Sequence, residues 1–265
     1  MRILITGTTG FVGHKLKASY KDAIAAPSLR NATRDMIMKI VEESEADVVI
    51  HTAAISDIGT CQKDPQSSYF ANVQIPLYLA AACKDRKLIC FSSDQVYSAC
   101  KEEGPYIEDV VKPGNIYAEH KLEMEERVLE LVPSAVMLRA EWMYDYVSPK
   151  PNYFLNVLNA SQQVSFSSRQ FRGITYLKEV VENMDHVMTL PGGAYNFGSE
   201  TNQSMYEITE QFLQLLGKDV QLQDALPRHN LWMNCEKARK YGVEFSDASD
   251  GLKRCLNDYK TPIKQ

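Results

Sequence analysis

The chain has 265 residues, of which 45% are hydrophobic and 24% charged, and carries a net charge of −5. That composition supplies a large buried core and excludes wholesale disorder, and the length suits one large domain or one domain with a smaller lobe. The acidic balance and the lack of a basic stripe argue against a nucleic-acid partner, and no run approaches the ~18 apolar residues of a membrane span.

The first residues, Met1 to Thr6, read as a strand running straight into a turn rather than as a signal peptide. Gly7-Thr-Thr-Gly-Phe-Val-Gly13 follows, and a helical pattern continues to Lys21. Ala23 to Ala26 is a short second strand closed by Pro27. Arg34 to Glu45 shows helical periodicity, with Met36, Ile37, Ile40 and Val41 on its apolar face. Val48-Val49-Ile50 is an unbroken apolar run of the kind a parallel strand covered on both faces requires.

Pro65 to Lys84 reads as a helix, Leu88 to Phe91 as a strand ending in Ser92-Ser93-Asp94, Tyr117 to Leu131 as a charged helix, and Ala135 to Leu138 as a strand. This alternation is the signature of a doubly wound parallel α/β sheet. Beyond a break at Pro149 and Pro151 the rhythm loosens. Helices are expected at 153–160, 176–188, 204–216 (closed by Gly217) and 252–259, with strands at 164–166 and 195–198. The later part reads as a smaller C-terminal lobe. Six scattered cysteines, none in C-x-x-C spacing and none with a histidine at a zinc-finger interval, suit a reducing compartment, the cytoplasm, and suggest no metal site.

Gly7, Gly10 and Gly13 lie between a strand and a helix, where backbone N–H donors and the positive helix end can cradle a phosphate. Their spacing is G-x-x-G-x-x-G rather than the G-x-G-x-x-G of the classical dinucleotide turn. An NAD site commonly carries an acidic residue ~20 residues past the turn. Here the second strand ends Ala26-Pro27-Ser28-Leu29-Arg30 with no acid, so NADP is preferred, NAD is allowed, and Arg30 is the candidate partner of the 2′-phosphate.

Carbonyl reduction needs an acid to protonate the emerging alkoxide, and a tyrosine beside a cation can serve. Tyr and Lys four apart share one helix face. Tyr97/Lys101, Tyr117/Lys121 and Tyr146/Lys150 all have that spacing, but only Tyr117/Lys121 opens a convincing helix. Ser93 sits at the carboxyl end of a strand, where such sheets place ligands, and its hydroxyl can polarise a substrate carbonyl.

Gly7–Gly13, Asp47-Val-Val-Ile-His-Thr-Ala-Ala54, Phe91-Ser-Ser-Asp94, Pro113-Gly-Asn-Ile-Tyr-Ala-Glu-His-Lys-Leu122, Leu138-Arg-Ala-Glu-Trp-Met-Tyr144 and Gly251-Leu-Lys-Arg-Cys-Leu256 carry a resemblance. Together they resemble the extended short-chain dehydrogenase/reductase superfamily and, within it, the dTDP-4-dehydrorhamnose reductase family, over nearly the whole chain. The resemblance implies a Rossmann-type dinucleotide-binding domain over 1–150 and 173–217, with a substrate lobe over 151–172 and 218–265. It implies NAD(P)H-dependent reduction of a nucleotide-linked sugar ketone by a cytoplasmic protein, with a homodimer allowed. The cofactor would lie over Gly7, Thr9, Gly10, Phe11, Val12 and Gly13, with Ala53, Ala54 and Asn72 along its path. Lys121 would hold the nicotinamide ribose and lower the pKa of Tyr117, the proton donor. Ser93 would polarise the carbonyl, Asp94 would orient the sugar, and Trp142 would either flank the sugar ring or pack in the core.

The departures lie on the substrate side. Gln95 replaces the aromatic residue expected after Asp94, Gly59 stands where an acid is expected, and the D-Q-x-G-x-P-T pattern reads Arg169-Gln-Phe-Arg-Gly-Ile-Thr175. Arg169 and Arg172 either grip a nucleotide diphosphate or stand solvated. Two other functions fit the same residues: an extended-type dehydrogenase or epimerase with a different sugar or carbonyl substrate, and a non-catalytic NADP-binding subunit resembling the regulatory subunit of methionine adenosyltransferase.

Overall fold

The computed structural model describes residues 1–148, 150–226 and 230–261. The expected break at Pro149, and residues 227–229 and 262–265 of the expected lobe, lie outside these. The strands are β1 (Ile3–Thr6), β2 (Ile24–Ala25), β3 (Val48–His51), β4 (Lys87–Ser93), β5 (Val136–Ala140), β6 (Trp142–Tyr144), β7 (Gln163–Phe166), β8 (Ile174–Tyr176), β9 (Gly193–Phe197) and β10 (Gln221–Asp224). Six of them form one sheet in the order β2-β1-β3-β4-β5-β9, and every pairing is parallel.

Parallel strands with both faces covered have no polar side to alternate with. β1 and β3 are accordingly buried at every residue, with Leu4 beside Val49 and Ile5 beside Ile50. One face packs Ile5, Ile50, Phe91 and Leu138 against the helices Phe11–Ser19, Leu177–Glu182 and Met184–Thr189. The other packs Leu4, Val49, Leu88 and Met137 against Arg34–Ser44, Ile75–Ala82 and Ile116–Leu131. After β1 the chain goes out to β2 on one side and returns to β3 on the other. The crevice between the carboxyl ends of β1 and β3 is therefore the topological switch point, where open α/β sheets hold ligands.

A third apolar cluster joins Tyr144, Tyr153, Phe154, Tyr176, Phe212 and Leu252. It includes the inner face of helix Met205–Leu216, started by a Ser204/Glu207 capping box and closed by Gly217 in the left-handed conformation. That helix falls within the range assigned to the dinucleotide domain from sequence, yet its apolar face packs with the lobe elements Tyr153–Leu158 and Ala248–Lys260.

Two expected helices are broken. Residues 65–82 run as Pro65–Tyr69, a π-helical turn Phe70–Gln74 and Ile75–Ala82 rather than one helix to Lys84. The stretch from Tyr176 splits into β8 and two short helices that meet at Asn183. Inside the second face, Arg139 on β5 donates to Glu125 from Nε at 3.0 Å and Nη2 at 2.7 Å, while its Nη1 reaches Tyr97 Oη at 2.9 Å. Tyr97, one of the three Tyr-x-x-x-Lys candidates, is thus a core residue that also donates to Asn196 Oδ1 at 2.6 Å.

Candidate active site

The turn after β1 is shaped by what its glycines lack. Gly7 has φ +72°, a conformation that side chains disfavour, and a Cβ there would lie 2.7 Å from Ala53 N. A Cβ on Gly13 would stand 2.3 Å from Gly7 O. Gly10 is the N-cap of helix Phe11–Ser19 and offers no side-chain cap, nor is there an acidic residue in the first turn, so the helix end keeps its N–H groups for an anion. Phe11 and Val12 turn inward against the core.

This turn opens onto a cavity of about 960 Å³ lined by Gly7, Thr9, Gly10, Arg30, Ala53 and Ala54. Arg30 stands exposed at its edge beside Ser28 and Asn31, two polar lining residues that had not been nominated although they adjoin it in sequence. The cavity and the glycine cradle fit a dinucleotide, with its phosphates at the helix end. Asn72 lies deeper than expected. It is wholly buried in the π-helical turn, accepts from Ile55 N at 3.2 Å and donates to Ile55 O at 2.9 Å, and so pins the loop after Ala54 from behind. Where an acid was missing at Gly59, Asp57 instead caps the helix Ile58–Lys63 through Thr60 N at 2.7 Å.

Ser93 ends β4, and Tyr117 begins the helix Ile116–Leu131, whose N-cap Asn115 accepts from Ala118 N at 2.9 Å. These two elements bring Ser93, Asp94, Tyr117 and Lys121 together. Tyr117 lies near Ser93, and Lys121 Nζ lies 5.9 Å from the centre of the Tyr117 ring. Lys121, only 2% exposed, donates to Phe91 O at 2.8 Å. Burial lowers its pKa to about 8.

The expected depression of the Tyr117 pKa is not what the chain alone produces. Burial raises the phenol above its ordinary range, and the nearby Ser93 hydroxyl offsets this only in part. Tyr117 therefore keeps its proton at neutral pH, as a proton donor must. Asp94 is also pushed up by burial, with Arg172 opposing the shift.

The two expected arginines part company. Arg169 is exposed on the loop after β7, whereas Arg172 is buried and bonds Asp94. Arg172 is therefore not a solvated side chain. Its guanidinium carbon lies 3.9 Å from the centre of the Trp142 ring, and Trp142 is 41% exposed, so that ring is not a core residue. Gln95, in place of the expected aromatic, accepts from the capping Asn115 at 3.3 Å. Glu141 escaped the sequence reading altogether. It is buried, accepts from Thr175 Oγ1 at 2.6 Å and Ser199 N at 2.9 Å, and burial pushes its carboxyl up to about 8. The signal available was an acid directly before Trp142, within the segment Leu138 to Tyr144.

The family model described as RmlD substrate binding domain matches residues 1–259. A dTDP-4-dehydrorhamnose reductase of Aggregatibacter actinomycetemcomitans is 27% identical over 224 residues, covering 78% of this chain and 76% of the relative. One of Mycolicibacterium smegmatis is 34% identical over 152 residues, 54% of this chain and 46% of the relative. The fold matches the crystal structure of dTDP-4-dehydrorhamnose reductase from Bacillus anthracis in complex with NADP, with a TM-score of 0.84 and 19% identity over 97% of this chain and 98% of that one.

Proposed function

From the premise that the chain belongs to the RmlD substrate binding domain family, whose model covers residues 1–259, we propose that it reduces the 4-keto group of a nucleotide-linked deoxysugar at the expense of NADPH. The dTDP-4-dehydrorhamnose reductases among its relatives support the reaction, and the NADP complex of the Bacillus anthracis enzyme supports the cofactor. The observation that carries the reading is the meeting of Ser93, Tyr117 and Lys121 at the carboxyl end of the sheet, beside the glycine cradle.

When bound, the dihydronicotinamide supplies hydride. The chain's own residues do the rest. Gly7, Gly10 and Gly13 admit the phosphates, Ala53 and Ala54 bound the cavity, and Arg30 offers a cation to a 2′-phosphate. Lys121 Nζ, already oriented by Phe91 O, retains further N–H donors for ribose hydroxyls. Ser93 directs its hydroxyl to the ketone oxygen, and Tyr117 delivers the phenolic proton as that oxygen gains charge. Trp142, with its exposed ring, flanks the sugar. In this reading residues 1–150 and 173–217 hold the cofactor, except that helix Met205–Leu216 joins 151–172 and 218–265 in the substrate lobe, where its apolar face packs.

The direct test supplies purified protein with NADPH and dTDP-4-keto-6-deoxy-L-mannose and follows the loss of dihydronicotinamide absorbance. Substrate-dependent loss is expected. Tight NADPH binding with no loss would instead favour another sugar substrate or a subunit without turnover.

A further inference from the structure

Both oxygens of Asp94 are engaged. Oδ1 accepts from Ser93 Oγ at 3.1 Å, Oδ2 accepts from Arg172 Nη2 at 2.5 Å, and the residue is 2% exposed. A carboxylate so occupied is arranged to act on its neighbours rather than to greet a sugar. Arg172 is just as buried and lies against Trp142. Glu141 completes the cluster in a slot that exists only because two neighbours are glycines. A Cβ on Gly173 would stand 2.3 Å from Glu141 Oε2, and one on Gly198 would stand 2.6 Å from its carboxyl carbon. Asp94 is thus paired with one guanidinium in a dry place, with the Glu141 carboxyl near enough to feel both charges, and removing that cation would leave the Asp94 charge uncompensated.

A serine hydroxyl has a single proton to give. Here Ser93 gives it to Asp94, while its oxygen accepts from Gln95 N at 3.2 Å. To polarise a ketone, Ser93 must take that proton back from Asp94. The strength of Asp94's hold grows with its negative charge, and among the described residues the one cation paired with it is Arg172.

The geometry points to Arg172 as a positioning residue for the reduction: by drawing charge from Asp94 it releases the Ser93 hydroxyl to the substrate carbonyl. This rests on the reductase reading above. It assigns a role to an arginine that stands where the resembling family pattern has glycine.

The charged and titratable groups that act on Asp94 and its partners are Arg172, Glu141 and Tyr117. Without Arg172, burial acts on Asp94 against only the hydrogen bonds from Ser93 and Gln95, so the carboxyl is pushed further up and, once ionised as pH rises, has no cation beside it. Ionised and alone, it holds the Ser93 proton hardest. The ratio of Arg172→Met to wild-type kcat should therefore fall as pH rises, on the order of a hundredfold if Ser93 donation is lost. KM for NADPH should not change. Arg172→Lys, which keeps a cation, should hold the ratio level, and so should Asp94→Asn/Arg172→Met, which removes both charges. A merely structural loss would lower kcat evenly at every pH.

An infrared difference between Arg172→Met and Asp94→Asn/Arg172→Met reads the Asp94 carboxyl without any turnover. A protonated carboxyl band that disappears with rising pH is expected. Should Arg172→Met fail to fold, Arg172→Gln, which keeps a polar side chain but no cation, serves in both measurements with the same expected sign. A level kcat ratio together with no titrating band overturns the proposal. If the wild type reduces no keto sugar, the reductase reading falls and the infrared measurement still decides the fate of Arg172.

Discussion

Lys121 Nζ donates to the carbonyl oxygen of Phe91 at 2.8 Å, which ties the cation of the Tyr-x-x-x-Lys pair to the strand that ends in Ser93. The lysine sits in a buried place that disfavours its charge, and its folded pKa of about 8 lies below the ordinary 10.5. Between those values the unfolded chain binds more protons, so stability rises with pH across that window, and below it Lys121 costs roughly 3 kcal/mol. Lys121→Met should therefore raise the melting temperature at neutral pH while abolishing turnover. Thermal denaturation at several pH values checks both the sign and the window.

His51 makes the opposite end of the pH range vulnerable. Its Nδ1 is 2.7 Å from Thr6 Oγ1 in the core, and burial, helped by Lys121, drives its pKa down to about 3 from 6.5. The folded protein cannot take up the proton that the unfolded chain accepts, so stability falls as pH drops below about 6.5, by up to roughly 5 kcal/mol in total. Urea midpoints measured from neutral to acid pH should show that slope, and His51→Gln should flatten it.

Gly13→Ala places a Cβ 2.3 Å from Gly7 O, a backbone atom that cannot swing aside. Crowding of this kind costs about 1–3 kcal/mol. It also shifts the turn that admits the phosphates. The variant should melt lower and lose most of the thermal stabilisation that NADPH gives the wild type, as a melting series with and without NADPH will show.

Arg30→Ala tests the choice of cofactor. The side chain is exposed at the cavity edge, and the strand before it ends without an acid. A lost charge-assisted contact of about 1.5–3 kcal/mol corresponds to roughly ten- to a hundredfold weaker NADPH binding, with NADH binding little changed. Parallel titrations with the two cofactors measure the ratio.

The parts of the site that could be read from sequence are those built from contiguous residues. Gly7 to Gly13 joins a strand to a helix within a single short segment, and Tyr117 and Lys121 share a helix face because of their spacing alone. The parallel sheet was legible because Val48-Val49-Ile50 and its counterparts are apolar without interruption. The unread parts arise between segments distant in sequence. β10 pairs with β7 across a gap that no local pattern spans, and both strands are partly exposed and polar. The π-helical turn at Phe70–Gln74 interrupts a stretch whose alanines and apolar spacing suit one helix, and it places Asn72 behind the Ala53–Ile55 loop. Arg172 could not be placed because its environment is Asp94 and Trp142, each on a different strand end. A guanidinium buried between a carboxylate and an indole ring, or one standing in water, leaves the same mark on the sequence.

The most direct test of the account is Tyr117→Phe, which removes one oxygen from a buried ring and leaves Lys121, Ser93 and the glycine cradle in place. The account predicts that NADPH binds the variant as it binds the wild type while reduction of the keto sugar slows by roughly a hundredfold or more. A Tyr117→Phe protein that keeps the wild-type rate would contradict the assignment of that phenol as the proton donor and, with it, the mechanism built around it.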